Sequence, residues 1–239
     1  MLINAGEMDH KKLNDAIRHC SSGCTITDCC GQRFIAAGMD GKDIKIHGVP
    51  GNALGAYLNG GTIEVMGSAQ DAVGDTMNDG AILIHGNIGD VAGYAMRGGK
   101  IFVNGDAGYR TGINMKAYQD KKPIMVIGGK AGSFLGEYQA GGVIIVLNLF
   151  TPQEKIVGYF PGTGMHGGKM FLRSECRDVV FPKQVVVRSA DEADKKELRS
   201  YLVEFCDIFG YDIEYILSHH FTVLTPDTNN PYRQLYVAN

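Results

Sequence analysis

The sequence predicts a mainly β protein: a single-stranded, right-handed parallel β-helix. Its 19-residue coils stack into a solenoid, with an N-terminal helical cap and C-terminal α-helices packed on it. Glycine makes up 33 of the 239 residues, and 28 of the 33 lie between Gly41 and Gly168. The segments 43–61, 62–80 and 81–99 align without gaps, which gives the period of 19 residues. Each segment opens with alternating apolar residues (IKIHG, IEVMG, ILIHG), a pattern that places these side chains on one face of a strand.

The repeat extends beyond these three segments. A unit with a five-residue insertion starts at Lys100, units at 124–142 and 143–168 follow it, and a degenerate unit at 24–42 precedes the first. Glycine recurs at the sixth, ninth and thirteenth positions, where we expect coil corners or contacts between coils to exclude a side chain. Strands repeating every ~20 residues between such corners are typical of a parallel solenoid. The glycines assigned this structural role are Gly48, Gly51, Gly55, Gly67, Gly74, Gly86, Gly89, Gly93, Gly105, Gly108, Gly112, Gly129, Gly132 and Gly136.

The third position of each strand is predicted to face away from the core of the coil. Ile26 is assigned to this position in the degenerate unit, Lys45 and Glu64 follow, and later coils are apolar there. A long row of apolar side chains is seldom left exposed on a monomer, so we expect another element to cover it. The residues of this covered outer face are Leu83, Phe102, Val126, Ile145 and Phe171.

Glycine content divides the chain into three predicted regions: an N-terminal cap at 1–22, the β-helix at 23–188 and a C-terminal helical extension at 189–239. In the extension, Ser189 is predicted to cap a helix whose apolar residues recur at helical spacing up to Phe209. We expect this helix and a shorter one after it to pack on the later coils. The alternative is that a partner subunit covers them.

Four stretches carry the pattern G-x-x-G-x-x-x-G: GVPGNALGAYLNGG, GNIGDVAGYAMRGG, GDAGYRTGINM and GGKAGSFLGEYQAGG. The pattern resembles the GXGXG domain, the carboxy-terminal β-helix of glutamate synthase large subunits. The tail, FCDIFGYDIEYILSHHFTVLTP and then NPYRQLYVAN, is similar to the end of stand-alone versions of this domain. Related β-helices occur in formylmethanofuran dehydrogenase and in γ-glutamylmethylamide synthetase.

The resemblance implies a non-catalytic assembly subunit of a glutamate synthase-like complex, with no catalytic residue of its own. Partner chains would perform glutamine amido transfer and flavin-dependent reduction for glutamate biosynthesis. The implied partners are glutamine amidotransferase-type and FMN-binding synthase-type subunits, which would hold the FMN, FAD and iron–sulfur clusters; no cofactor is expected in this chain. The alternatives are an assembly subunit of another complex, such as the two named above, and an independent enzyme.

Bulk composition narrows the range of partners. A net charge of −3 and a pI near 6.2 argue against a nucleic-acid or anionic-membrane surface. The sequence contains no run of 18 apolar residues, so no membrane-spanning helix is expected. Six cysteines without an export signal indicate a reducing compartment, which predicts a cytoplasmic protein. Assembly of several copies of this chain stays open.

One stretch matches the dinucleotide-binding fingerprint G-x-G-x-x-G at Gly162, Gly164 and Gly167. That fingerprint requires a helix after the glycines, so that the helix N-terminus meets the pyrophosphate. The residues that follow, 169–173, instead have the pattern of another coil's strand. We therefore interpret the glycines as the closure of the sixth coil.

Four cysteines near the start of the β-helix are the candidate metal ligands: Cys20, Cys24, Cys29 and Cys30. Their spacing, C-x3-C-x4-C-C, lacks the C-x2-C pair common in zinc and iron–sulfur sites, and adjacent cysteines seldom bind one ion together. We predict small buried thiols in the first coil and no metal site. Zinc or iron binding stays as the alternative.

Three further candidates are polar. His47 and His85 share a coil position but are two coils apart, about 9.6 Å, which is too far for one metal ion. The histidines at 219–220 are expected at a helix end, where positive charge suits the helix dipole. Asp106 and Arg110 lie in a coil whose counterpart in the family carries a charged, Gly-Glu-Arg-like sequence. The resemblance implies an ion pair between neighbouring coils.

Overall fold

The computed structural model describes residues 1–227, so the resembling tail segment NPYRQLYVAN lies outside the described residues. Within residues 1–227, no helix has the length and apolar character needed to cross a membrane. The described strands form one eleven-stranded sheet, and three helices accompany it. The elements in chain order are β1 (Leu2–Asn4), α1 (His10–Arg18), β2 (Gly23–Cys30), β3 (Lys42–Val49), β4 (Asn59–Val65), β5 (Asp79–Ile84), β6 (Lys100–Val103), β7 (Ile124–Ile127), β8 (Ala140–Val146), β9 (Gly167–Leu172), β10 (Val185–Ser189), α2 (Glu192–Phe209), α3 (Ile213–Leu217) and β11 (Thr222–Pro226).

Strands β1 to β9 are parallel and follow one another across the sheet in chain order, which is the arrangement of a β-solenoid. From β3 to β6 the strand residues pair with the residue 19 positions later, as in the series Ile44, Ile63, Ile82 and Ile101; only Asn59, which pairs with Asp79 before a register shift, departs from this offset. These side chains are buried in the core because alternate residues of a strand point to the same side. The predicted fold class, a solenoid of short coils with C-terminal helices packed on it, is confirmed.

The first residues of strand β2 pair with residues 20 positions later in β3, one more than the offset of 19 that the repeat predicts. Thr25 pairs with Lys45 and Ile26 pairs with Ile46, and a bulge after Ile26 returns the offset to 19 residues. Ile26 is therefore fully buried in the core, and Thr25 takes the outward third position. The assignment of Ile26 to the outer face was wrong, because the period of the clear repeats does not hold across the bulge.

The N-terminal segment contributes both a helix and a strand. Strand β1 pairs in parallel with β2 at the edge of the sheet. The side chain of Asp9 caps α1, and Leu13 and Ile17 on its apolar side are buried. Asn14, also buried, ties the helix to the first coil: its amide donates to the Phe34 carbonyl at 3.0 Å.

The last strands of the sheet are antiparallel rather than parallel to their neighbours. Strand β11 runs antiparallel to β9, and β10 pairs antiparallel with β11 at the edge. Ser189 belongs to β10, where it pairs with Thr222, so it does not cap α2 as predicted. The N-cap is Asp191, which exchanges side-chain-to-backbone hydrogen bonds with Asp194, and Gly210 ends the helix in a left-handed conformation.

Candidate interaction surfaces

The outer side of β5 to β9 is covered by α2 and α3. Phe102 packs edge-on against Phe205, with ring centroids 5.8 Å apart. Leu198 and Leu202 reach the same cluster because residues at this spacing share one face of a helix. The predicted outer-face residues in this cluster are Leu83, Phe102, Val126, Ile145 and Phe171, none of them more than 9% exposed.

Lysines along the edge of this cluster bind acidic residues of α2. Lys169 Nζ lies 2.6 Å from Glu197 Oε2, and Lys100 forms an ion pair with Glu204. Burial disfavours the charged form of Glu197, but hydrogen bonds from Lys169 and Tyr201, together with the positive charges of Lys169 and Lys122, outweigh this effect and lower the pKa of Glu197. The sequence reasoning missed these contacts, although Glu197 and Glu204 lie seven residues apart, on one side of the helix.

The N-cap region of α2 contains a buried carboxylate. Asp194 is 3% exposed and accepts hydrogen bonds from Arg188 through both of its oxygens, and Lys169 Nζ lies 3.2 Å away. The hydrogen bonds from Arg188 hold the pKa of Asp194 far below its usual range. Because Arg188 lies on β10 and Lys169 on β9, this cluster joins three elements.

The outer side of β2 to β4 is not covered by these helices, and we call it the open face. Lys45, Glu64 and Thr25 lie along a groove of about 460 Å³ that also includes Met1 and Asp43. Glu64 Oε2 lies 3.0 Å from Lys45 Nζ. The open face is therefore polar, whereas the neighbouring coils are apolar at the same strand position.

His85 stands at the border between the open and covered parts. Its Nε2 lies 3.0 Å from Glu64 Oε1, and its ring packs edge-on against Phe209 of α2, with centroids 5.2 Å apart. Partial burial works against the charged form of Glu64, but hydrogen bonds from His85 and Lys45 lower the pKa of this carboxylate. The Glu64–His85 contact was not predicted, because the two residues occupy different coil positions.

Several of the repeat glycines make room for polar side chains of the preceding coil. Ser68 Oγ accepts a hydrogen bond from the backbone N–H of Asn87, and a Cβ on Gly86 would lie only 2.5 Å from that oxygen. Asn87 and Asp106 repeat the arrangement in the next two coils. Glycines at the thirteenth position have another role: Gly74 has a φ of 68°, and a Cβ there would collide with Ile101. The ladder of Ser, Asn and Asp recurs every 19 residues and was visible in the sequence.

Asp106 and Arg110 do not pair with each other. Asp106 belongs to the ladder, where it accepts a hydrogen bond from the backbone N–H of Lys130. Arg110 Nε instead lies 2.9 Å from Oε2 of buried Glu137 in the next coil. An ion pair between coils is therefore present at Arg110, whereas the carboxylate of Asp106 binds the backbone of the next coil.

The glycines of the fingerprint-like stretch lie at a coil corner. Gly162 and Gly164 have φ values of 74° and 68°, and Gly167 is the first residue of β9. A strand follows the motif where a dinucleotide site requires a helix. The stretch closes the sixth coil.

The four cysteines lie at the N-terminal end of the solenoid. Cys20, Cys24 and Cys29 are buried as predicted, whereas Cys30 is exposed. Burial, reinforced by neighbouring Cys20, raises the pKa of Cys24 to about 11, so its thiolate is scarce at neutral pH. Among residues 1–227, no three His, Cys, Asp or Glu side chains are grouped in a way that could hold a metal ion.

Comparison with known proteins agrees with the repeat. The chain is 41% identical over 253 residues to the uncharacterized protein MJ1350 of Methanocaldococcus jannaschii, covering 100% of this chain and 97% of the relative. In fold it is similar to a chain of the formyltransferase/hydrolase complex of Methylorubrum extorquens, solved in complex with methylofuran. That match has a TM-score of 0.66 and 22% identity, and covers 86% of this chain and 73% of the other. The sequence matches the GXGXG motif over residues 3–227, and the chain belongs to the GXGXG motif family.

Proposed function

We propose that this chain is a non-catalytic assembly subunit of a glutamate synthase-like complex. In this proposal, glutamine amidotransferase-type and FMN-binding synthase-type chains perform the chemistry and hold the FMN, FAD and iron–sulfur clusters. This chain provides a rigid solenoid against which they are positioned. The observation that carries the proposal is the open face, a polar groove beside a part of the sheet that the chain covers itself.

Two features make the open face suitable for a partner. Its charged side chains are held by one another, since Glu64 contacts both Lys45 and His85, and such preorganisation reduces the entropy lost on binding. Its backbone belongs to a ladder of regularly paired strands, which keeps the groove in one shape. Polar groups fixed on a rigid support favour specificity in protein association.

A second candidate is an assembly subunit of another complex. The likeness in fold to a chain of the formyltransferase/hydrolase complex favours this candidate over an amide ligase such as γ-glutamylmethylamide synthetase. Both candidates assign the same role to the open face. They differ in the chemistry of the partner chains.

The proposal is tested by purifying the tagged chain from the organism that encodes it, with cross-linking and mass spectrometry of what accompanies it. We expect an amidotransferase-type and an FMN-binding chain in fixed ratio. Glu64→Lys on the open face should lose these partners, whereas Lys196→Glu, on the exposed side of α2, should retain them. Recovery of the wild-type chain with formyl-transferring chains would favour the second candidate, and recovery of the chain alone would contradict both.

A further inference from the structure

Besides the core-facing and outer sides of its strand, each coil has a side formed by its turn residues. This side exposes aromatic side chains. This side, which we call the aromatic face, carries the residues at coil positions 10, 11, 14 and 15. A monomer seldom exposes so many aromatic rings on one surface, whereas interfaces are enriched in Tyr, Phe and Arg. The exposed aromatic residues of this face are Phe34, Tyr57, Tyr94, Tyr109, Tyr138, Tyr159 and Phe160.

Backbone hydrogen bonds between coils fix which residues are equivalent. The N–H at position 11 donates to the carbonyl at position 10 of the next coil, from Phe34 to Asn52 at one end and from Phe134 to Tyr159 at the other. In the same way, the N–H at position 15 donates a hydrogen bond to the carbonyl at position 14 of the next coil. Position 11 is occupied in order by Phe34, Ala53, Ala72, Val91, Arg110, Phe134 and Phe160. Position 15 is occupied by Gly38, Tyr57, Thr76, Ala95, Asn114, Tyr138 and Gly164.

The series at position 15 is nearly symmetric about the coil 81–99, and the series at position 11 carries the same residue at its two ends. At position 15, Tyr57 lies two coils before Ala95 and Tyr138 lies two coils after it, with glycine at both ends. At position 11, Phe34 and Phe160 lie at equal distances from Val91. Six coil spacings of ~4.8 Å separate these ends by about 29 Å.

The charges in the two coils on either side of the central coil are opposite in sign. Asp71 and Asp75 lie in the coil just before the central one, and Arg110 lies in the coil just after it. Matched aromatic residues two and three coils from the centre, together with opposite charges in the two flanking coils, fit an antiparallel copy of the same surface. Such self-complementarity is what a two-fold interface requires.

Arg110 is held ready for an external carboxylate. Its guanidinium lies over the rings of Tyr109 and Phe134, at 5.0 and 5.6 Å from their centroids, and its Nε contacts Glu137. Among residues 1–227, no hydrogen bond joins its two Nη atoms to another side chain or carbonyl. A rigid, outward guanidinium beside aromatic rings is a frequent source of binding energy at interfaces.

We propose that the aromatic face binds a second copy of this chain, with the two solenoids antiparallel. The two-fold axis lies in the plane of the interface, across the coils, at Val91 and Ala95. A residue then faces the same coil position on the partner, reflected through the central coil. Phe34 meets Phe160, Tyr57 meets Tyr138, and Arg110 meets the coil that carries the second copy's Asp75. This interface is separate from the open face, so it does not depend on the proposed function.

The test is sedimentation velocity of the full chain between about 1 and 100 µM. We expect a concentration-dependent dimer for the wild type. Arg110→Glu and Asp75→Arg should each shift the protein to monomer, weakening association at least about tenfold, because each places like charges together twice in the dimer. Lys196→Glu makes the same charge change as Arg110→Glu on α2 and should leave the dimer intact.

The decisive arm mixes the two variants. An equimolar mixture of Arg110→Glu and Asp75→Arg restores both opposite-charge contacts in a heterodimer, and we expect dimer to reappear. A misfolded variant could not produce this rescue. A wild type that stays monomeric at 100 µM, single variants that dimerise like wild type, or a mixture that stays monomeric would each overturn the proposal, leaving the face to a different chain.

Discussion

The outer side of the sheet has two halves built on the same backbone. On β6 to β9 the third strand position holds residues such as Val126, which is fully buried under α2. On β3 and β4 it holds Lys45 and Glu64, whose side chains are 43% and 29% exposed. The coil period and strand register are the same at β3 to β6, so the difference arises from side chains alone.

Under the proposed function, the solenoid separates stability from recognition. Positions two and four of each strand supply the common core, and position three decides what lies on the outer side. Where position three is apolar, the chain covers it with its own helices. Where it is charged, these helices leave the groove uncovered, and this groove is the proposed binding site for a partner.

The largest effect on the protein is expected from removing the helices that cover β5 to β9. Deleting residues 189–239 takes away α2, α3 and β11 and exposes the apolar row from Leu83 to Phe171, which should cause aggregation. Light scattering of the purified truncated chain measures this. A soluble, monomeric truncation would show that the helices are not needed to cover these coils.

The second-largest effect is expected when a single aromatic ring of α2 is removed. Phe205→Ala should lower the free energy of unfolding by about 3–5 kcal/mol, because it leaves a cavity against Phe102. Val203→Ala, on the exposed side of the same helix, should change it by no more than ~0.5 kcal/mol. Urea unfolding measures both variants, and equal losses would mean that α2 does not pack as described.

The charged end of the cover gives a pH-dependent effect. Asp194→Asn should cost about 1.5–3 kcal/mol at pH 7, since Arg188 and Lys169 lose their charged acceptor. The folded-state pKa of Asp194 lies below its unfolded value, so its contribution is complete above the unfolded value, about 3.9. The stability gap between wild type and variant should therefore be constant from pH 7 to about 5 and narrow as acid protonates the carboxylate. A gap that widens below pH 4 would contradict this sign.

A smaller effect tests the spacing between coils that both halves share. Gly86→Ala should cost about 1–3 kcal/mol, because its Cβ would press on Ser68 Oγ and on backbone. Gly67 is the equivalent glycine one coil earlier, and a Cβ there would lie 3.4 Å from the nearest atom. Thermal unfolding should show a clearly smaller loss for Gly67→Ala, and the reverse order would refute the role given to the ladder.

The smallest effect is expected on the open face. Glu64→Gln weakens contacts with Lys45 and His85, which are partly exposed, and such pairs contribute about 0–1 kcal/mol. Chemical denaturation should place the variant within ~1 kcal/mol of wild type. A loss as large as that of Phe205→Ala would mean that the open face serves stability rather than recognition.

The sequence was sufficient to predict the parts that depend on local order. The period of 19, the apolar second and fourth positions and the apolar row from Leu83 to Phe171 follow from residue spacing. The exposed aromatic residues of the turns were not predicted, because hydrogen bonds between coils are needed to fix which turn residues are equivalent.

Features that depend on contacts distant in sequence were not predictable. Ser189 looks like a helix cap, but pairing with Thr222 places it in a strand, and no local pattern shows that pairing. Arg110 has an acid four residues before it, yet Glu137 of the next coil is its partner. The bulge after Ile26 likewise depends on how β2 fits against β3.

The central claim is that the open face docks a partner while the helices cover the other half. Acetylation of lysines in the isolated chain and in the native complex, followed by mass spectrometry, tests it directly. We predict that Lys45 reacts in the isolated chain and is protected in the complex, while Lys196 on α2 reacts equally in both. Equal reactivity of Lys45 in the two states would contradict the account.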